Sequence, residues 1–129
     1  MCEVIPLRKQ HHNSTIYISV SKYQIACCTW KGSSIDIYSL DGEFKKSYGT
    51  YGSDVGQLNY PYICDEDDAG NILIADKKNN RLQVMTPQGR FCVVNLTPRI
   101  EGPIAAAFYQ GSIYVASNDS GVIRKYSST

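Results

Sequence analysis

The residues of this sequence with the clearest chemical potential are a short basic run and several aromatic residues. The run is Lys77-Lys78-Asn79-Asn80-Arg81. Cations neutralise phosphates and aromatic rings stack on bases, so such a combination could bind single-stranded RNA. The same side chains could instead recognise a protein target. The candidate binding face comprises Lys77, Lys78, Asn80, Arg81, Tyr60, Tyr62, Trp30 and Lys31.

A purely structural interpretation of the same run is also available. Lysines in a hairpin loop are commonly only solvated, and Asn79-Asn80 supplies the left-handed conformations that tight turns need. Arg81 could pair with Asp76 across the hairpin, which would make it a structural residue. The sequence leaves both interpretations of this run open.

Other residues that could bind metal or catalyse are poorly placed. Cys27 and Cys28 are adjacent in a predicted strand, so their side chains point to opposite faces and cannot share one metal ion. The acidic run at 65–68 partly mimics a calcium loop, but Ala69 at the fifth position offers no side-chain ligand. Both histidines precede the first repeat, and no catalytic motif occurs. We therefore expect no metal, no cofactor and no enzymatic activity.

Composition limits the classes of protein and partner. The chain has 129 residues, with Ile and Val outnumbering Leu and Ala and with ten tyrosines, which favours strands in one domain. A net charge of +1 provides no global attraction to nucleic acid or anionic lipid. The longest apolar run, residues 104–109, is too short to span a membrane. Five irregularly spaced cysteines and the absence of a signal-peptide pattern indicate a cytoplasmic location.

The elements that position the basic run come from an internal repeat. Landmarks of the first copy recur 47 positions later, and a third copy follows with a shift of 41. In the middle copy, strands are predicted at residues 60–64, 72–76, 81–86 and 91–96, with the basic run in the second hairpin loop. Four antiparallel strands every 40-odd residues are typical of a β-propeller blade. The landmark pairs are Ile25/Ile72, Ile35/Leu82, Gly42/Gly89 and Phe44/Phe91.

The middle copy resembles an NHL repeat. The resemblance is carried by Gly56-Gln57-Leu58-Asn59-Tyr60-Pro61, Asp65, Gly70-Asn71-Ile72, Ala75-Asp76, Asn79-Asn80-Arg81-Leu82-Gln83-Val84-Met85 and Gly89-Arg90-Phe91. The style is most similar to the NHL propellers of tripartite-motif proteins. The resemblance implies a propeller that binds RNA in some members and protein in others, downstream of RING, B-box and coiled-coil domains. No RING or B-box spacing occurs in these 129 residues, so ubiquitin transfer is not assigned to them.

Together these observations predict an all-β fold of NHL-type blades in an incomplete propeller. The predicted segments are a leader or outer strand at 1–14 and blades at 15–50, 51–98 and 99–129. The expected function is non-catalytic recognition of a protein target, with RNA binding as the alternative and a propeller enzyme as a distant third. In a propeller, the second hairpin loop of a blade lies on the same face as the linkers between blades, which would bring the candidate residues together.

Three blades cannot close a ring, because propellers have four to eight. The third predicted blade ends after its third strand, whereas residues 3–9 have the length of an outer strand. Two interpretations follow: a homodimer in which two chains complete a six-bladed ring, or half of a truncated propeller that is soluble only poorly or with its remaining blades. Without a partner, apolar side chains near Ile16-Tyr17-Ile18 and Val115 would be exposed.

Overall fold

The computed structural model describes residues 1–8, 16–29 and 31–127. The histidines of the leader and Trp30 of the candidate face lie outside these ranges. The first sheet contains β1 (Ile16–Val20), β2 (Ile25–Thr29), β3 (Ile35–Tyr38) and β4 (Phe44–Tyr48). Two short parallel strands, β5 (Thr50–Tyr51) and β6 (Gln57–Leu58), form within the linker that follows.

The second and third sheets repeat this architecture. The second contains β7 (Pro61–Glu66), β8 (Ile72–Asp76), β9 (Arg81–Met85) and β10 (Phe91–Val93). The third contains β11 (Pro103–Tyr109), β12 (Ser112–Ser117) and β13 (Val122–Ser127). Each sheet is antiparallel with its strands in chain order, and the first strands of the three sheets lie side by side. The predicted all-β fold of propeller blades is confirmed, and we call the sheets blades 1, 2 and 3.

Blade 2 packs against a neighbour on each of its faces. Successive side chains of a strand point to opposite faces, so β8 divides its apolar residues between two cores. Ile72 and Ile74 lie in the core shared with blade 1, whereas Leu73 and Ala75 lie in the core shared with blade 3. All four side chains are fully buried. Because both faces of β8 are covered, its sequence is a continuous apolar run rather than an alternation of apolar and polar residues.

Two expectations about the chain need correction. Val115 was expected on an exposed blade face, but it is fully buried in the core between blades 2 and 3. The open face of blade 3 is the opposite one, which presents Ile123. The strand predicted at 91–96 ends at Val93, although the Val94 N–H still donates to the Leu82 carbonyl.

The leader also differs from a regular strand. Residues 1–8 have no strand pairing in the described structure, yet they lie against blade 1. The Arg8 guanidinium reaches the Asp36 carboxylate at 3.3 Å, and the backbone N–H of Arg8 donates to the Tyr38 hydroxyl at 2.7 Å. Within the three described ranges, no helix has the length and apolar character of a transmembrane segment.

Candidate functional site

The basic hairpin loop of blade 2 is a tight and fully specified turn. Lys77–Asn79 form a single 3-10 turn, and Asn80 closes it by donating its N–H to the Lys77 carbonyl. Asn80 has a φ of +54°, a left-handed conformation that asparagine tolerates better than most residues. Its side-chain oxygen accepts a hydrogen bond from the Gly102 N–H at 2.9 Å. Asn80 is therefore occupied in shaping the loop and in fixing the next linker to it.

Both interblade linkers meet this hairpin loop. On one side, the Lys78 N–H donates to the Asn59 carbonyl at 3.0 Å, and the Asn79 side-chain amide donates to the Gly52 carbonyl at 2.8 Å. On the other side, the Arg99 guanidinium donates to the carbonyls of Asn79 and Asn80. The loop at 77–80 and the linkers at 49–60 and 94–102 thus form one surface, as expected, and we call it the loop face.

A buried carboxylate holds the loop face together from below. Asp76, at the end of β8, is fully buried and accepts hydrogen bonds from four donors. These donors are the Asn59 N–H at 2.8 Å, the Asn79 side-chain amide at 3.0 Å, the Arg81 Nε at 2.8 Å and the Gln83 side-chain amide at 3.2 Å. A buried charge requires such compensation. The network therefore ties β8, the hairpin loop, β9 and a linker into one unit.

Arg81 belongs to this structural network. Besides its Asp76 contact, its guanidinium donates to the carbonyls of Ser53, Asp54 and Gln57 at 2.8 to 3.0 Å. Its side chain is only 15% exposed. Because the pairing with Asp76 is present and the guanidinium is directed at the linker, the geometry supports the structural interpretation of Arg81. A ligand on the loop face would contact the linker whose backbone Arg81 fixes in place, rather than the Arg81 guanidinium.

Other side chains are presented to solvent on the loop face. Lys78 is exposed, with its Nζ 5.4 Å from the centre of the Tyr60 ring, whereas Lys77 is half-buried. In the linker before blade 2, Tyr51 is 70% exposed and Val55 is 62% exposed. In the next linker, Arg99 is also exposed.

Two of these residues, Val55 and Arg99, were not identified from the sequence. Neither lies in the basic run, and only the hydrogen bonds of both linkers to the loop bring them near it. Arg99 also lines a groove of about 490 Å³ between the end of blade 2 and the following linker. The remaining lining residues are Asn80, Arg81, Val93, Val94, Asn95, Leu96 and Ile100.

The other predicted face residues are dispersed. Tyr62 lies within β7, where its ring centre is 4.9 Å from that of Tyr17 and its ring contacts the core between blades 2 and 3. Burial, and then the neighbouring Tyr62, raise the pKa of the Tyr17 hydroxyl. Lys31 is exposed in the corresponding turn of blade 1. The structure thus brings Lys77, Lys78 and Tyr60 together and places Tyr62 among the first strands of the blades.

The acidic run is divided between a strand and a turn: Asp65 and Glu66 end β7, and the predicted turn begins at Asp67. The Asp67 carboxylate accepts hydrogen bonds from the Ala69 and Asn71 N–H groups and from the Asn71 side-chain amide. Burial alone would raise the pKa of Asp67, but these hydrogen bonds lower it below its ordinary value. In the described part of the chain, no group of three or more metal-ligating side chains is suitably arranged for a metal ion.

A comparison with known sequences gives a short match. No protein-family model matches the chain. A stretch of 43 residues, 33% of the chain, is 40% identical to Protein wech of Drosophila melanogaster. The match spans 5% of that protein, so the chain corresponds to a small part of this curated relative. It gives partial support to the NHL resemblance of the middle repeat.

Solved structures share the architecture more broadly. A streptogramin B lyase superposes with a TM-score of 0.58 and 20% identity, over 86% of this chain and 39% of that chain. Virginiamycin B lyase from Staphylococcus aureus gives 0.63 and 17%, over 95% and 44%. Glutaminyl cyclase from Myxococcus xanthus gives 0.51 and 15%, over 82% and 45%.

The similarity to these enzymes is one of fold alone. At such low identities it assigns neither their activities nor their catalytic residues to this chain. This chain spans less than half of each of the three. Together, the three blades and these neighbours show that the chain is an incomplete β-propeller.

Proposed function

We propose that this chain is a non-catalytic recognition module that binds a protein target on its loop face. The main support for this proposal is that Tyr51 and Val55 are exposed on a linker with a fixed backbone. The Arg81 guanidinium donates hydrogen bonds to three carbonyls of that linker. Lys78 of the hairpin loop and Arg99 of the other linker are exposed on the same face. Tyrosine and arginine contribute strongly to protein interfaces, and a rigid scaffold reduces the entropy lost on binding.

The charge pattern favours a protein target over RNA. Exposed Asp54 and Glu101 lie on the two linkers of the loop face, which also carries the two lysines and Arg99, so the face has both signs of charge. Lys78 lies over the Tyr60 ring, so a base stacking there would compete with this cation. A mixed surface around an exposed tyrosine and valine suits a protein partner with apolar and charged groups of its own.

The NHL resemblance and the short match to Protein wech support the same class of function. In the tripartite-motif family that the sequence resembles, such propellers select targets for proteins that often transfer ubiquitin. We extend only the target-recognition role to this chain and place it in the cytoplasm. All five cysteines are free thiols, which suits a reducing compartment.

A paired set of variants tests the loop face. In quantitative affinity capture, the variant Tyr51→Ala/Lys78→Ala should recover at least tenfold less of the proteins that the wild-type chain captures. The matched control is Lys22→Ala/Tyr23→Ala, which removes an exposed tyrosine and a neighbouring lysine, 5.2 Å from its ring centre, in a turn of blade 1. Equal recovery by both double variants and the wild type would refute the proposal.

A salt titration separates the RNA alternative. Binding of a single-stranded oligouridine probe that weakens steeply with salt, and is lost in Lys77→Ala/Lys78→Ala, would favour RNA over protein. Under the protein proposal, the probe should bind weakly even at low salt. Arg81 is left unchanged in both experiments because its substitution would disturb the linker itself.

A further inference from the structure

The two end blades each leave one apolar face open in the described structure. On blade 1, Ile18 is 64% exposed and faces away from blade 2. On blade 3, Ile123 is 75% exposed and lines a shallow apolar surface with neighbouring alanines of β11 and β12. Contiguous apolar surface of this kind usually indicates an interaction site.

The repeat shows what each open face is built to contact. Blade 2 buries Ile72, Ile74 and Met85 against blade 1. The residues 47 positions earlier are Ile25, Cys27 and Tyr38, which line an apolar groove on the other face of blade 1. Cys27 and Tyr38 are buried, and the groove is also lined by Ile5 and Leu7 of the leader, so Ile16 and Ile18 are the exposed part of this open face. The open face of blade 1 is therefore the counterpart of a surface that blade 2 buries against the blade before it.

Blade 3 shows the complementary relationship. Blade 2 buries Leu73, Ala75 and Leu82 against blade 3. The residues 41 positions later are Tyr114, Ala116 and Ile123, which line the open surface of blade 3. The open face of blade 3 thus corresponds to the face with which blade 2 contacts the next blade. The open face of blade 1 corresponds to the face with which blade 2 contacts the previous blade.

Residues 1–8 lie where the outer strand of such a predecessor would lie. Ile5 packs on Gly42 of blade 1. Gly89, the equivalent glycine of blade 2, is covered in the same way by Tyr48, the last residue of the outer strand of blade 1. Ile5 therefore occupies the position that Tyr48 occupies one blade later.

A second contact joins residues 1–8 to β3, the third strand of blade 1. Tyr38 of β3 accepts a hydrogen bond from the Arg8 N–H at 2.7 Å. Its equivalent in blade 3 is Tyr126, whose hydroxyl donates to the Pro98 carbonyl of the preceding linker at 2.7 Å. Residues 1–8 thus follow the path of an outer strand and linker that enter blade 1 from a preceding blade.

We propose that the 129-residue chain pairs with a second copy of itself to form a six-bladed ring. Blade 3 of each chain packs on the open face of blade 1 of the other. Residues 1–8 then lie beside β13, whose outer edge is unpaired in the described structure, and supply a fourth strand. The arrangement has two-fold symmetry and leaves the loop face accessible, so it stands independently of the proposed function.

Light scattering coupled to size exclusion tests this pairing. The wild type should elute with about twice the chain mass of 14.4 kDa. Ile18→Asp and Ile123→Asp, on opposite partners of the proposed contact, should each raise the dimer dissociation constant at least tenfold. Val55→Asp is the matched control, because it places the same charge at a similarly exposed apolar site on the loop face.

The outcomes distinguish this pairing from other occupants of the two faces. A monomeric wild type, or a dimer that resists both face substitutions, would overturn the proposal. Circular dichroism melting checks that each variant is folded, and since the substitutions lie on different blades, either one alone tests the contact. Tyr51→Ala/Lys78→Ala should leave the mass unchanged, so a failure of the proposed function would not be mistaken for a failure of the ring.

Discussion

Replacement of Arg81 by methionine tests whether the loop face depends on its buried ion pair. The substitution keeps an unbranched side chain of similar length but removes the guanidinium. The Arg81 Nε is 2.8 Å from the fully buried Asp76 carboxylate, and the rest of the guanidinium holds three carbonyls of the linker. Arg81→Met therefore leaves a buried charge without its cation and releases the linker that carries Tyr51 and Val55.

The expected loss of stability follows from the contacts that remain. Removing one partner of a buried ion pair costs about 3–5 kcal/mol. After the substitution, Asp76 would retain the Asn59 N–H and the side-chain amides of Asn79 and Gln83. The freed linker carbonyls can bond to water and add little. We therefore expect a loss near the lower end of that range, about 3 kcal/mol.

Urea unfolding at neutral pH measures this loss, and Arg99→Met is the matched control. The Arg99 guanidinium also donates to two backbone carbonyls of the loop face, but its side chain is exposed and we expect a loss of less than about 1 kcal/mol. In the double variant Asp76→Asn/Arg81→Met, the combined loss should be smaller than the sum of the single losses. If Arg81→Met is no more destabilising than Arg99→Met, the structural role assigned to Arg81 is wrong.

Three further predictions concern individual side chains. Asp67→Ala should destabilise the protein by about 1 kcal/mol at pH 7. The folded-state pKa of Asp67 is lowered, so this contribution is lost as the pH falls through that pKa, and urea titrations of variant and wild type should converge in acid. At pH 8 a thiol reagent should label exposed Cys92 readily. Burial raises the pKa of the Cys28 thiol to about 12, so Cys28 should be labelled only when the protein unfolds. Tyr126→Phe should lower stability by about 1 kcal/mol in thermal melts, through loss of the Pro98 contact.

Much of blade 2 could be predicted because its signals are local. The strand expected at 72–76 is β8, and the loop expected at 77–80 is the turn observed. Val115 could also have been placed correctly, because it lies 41 positions after Ile74, which faces the preceding blade. The error came from treating exposure as a property of a whole end blade, whereas alternation along the strand assigns each side chain to one face.

The candidate site was predicted less completely. The hairpin loop was recognisable because basic and turn-forming residues are adjacent in the chain. Val55 and Arg99 were missed because they belong to two separate linkers, and each linker meets the hairpin loop only through hydrogen bonds between residues distant in sequence. The sequence also left open whether the Arg81 side chain contacts a ligand or Asp76. Arg81 is the first residue of its strand, and the side chain there can point either to solvent or into the protein.

The amino-acid sequence by itself determined the blades: the 47-residue spacing, the alternation of apolar positions and the turn residues specify strands through short-range geometry. Only the tertiary structure decided which charged groups are buried and which apolar faces remain open. Those properties depend on which surfaces are brought into contact, and contact removes water from both partners at once. Arg81 is structural because packing buries Asp76 beside it, and Ile123 is exposed because no blade in the described chain covers it.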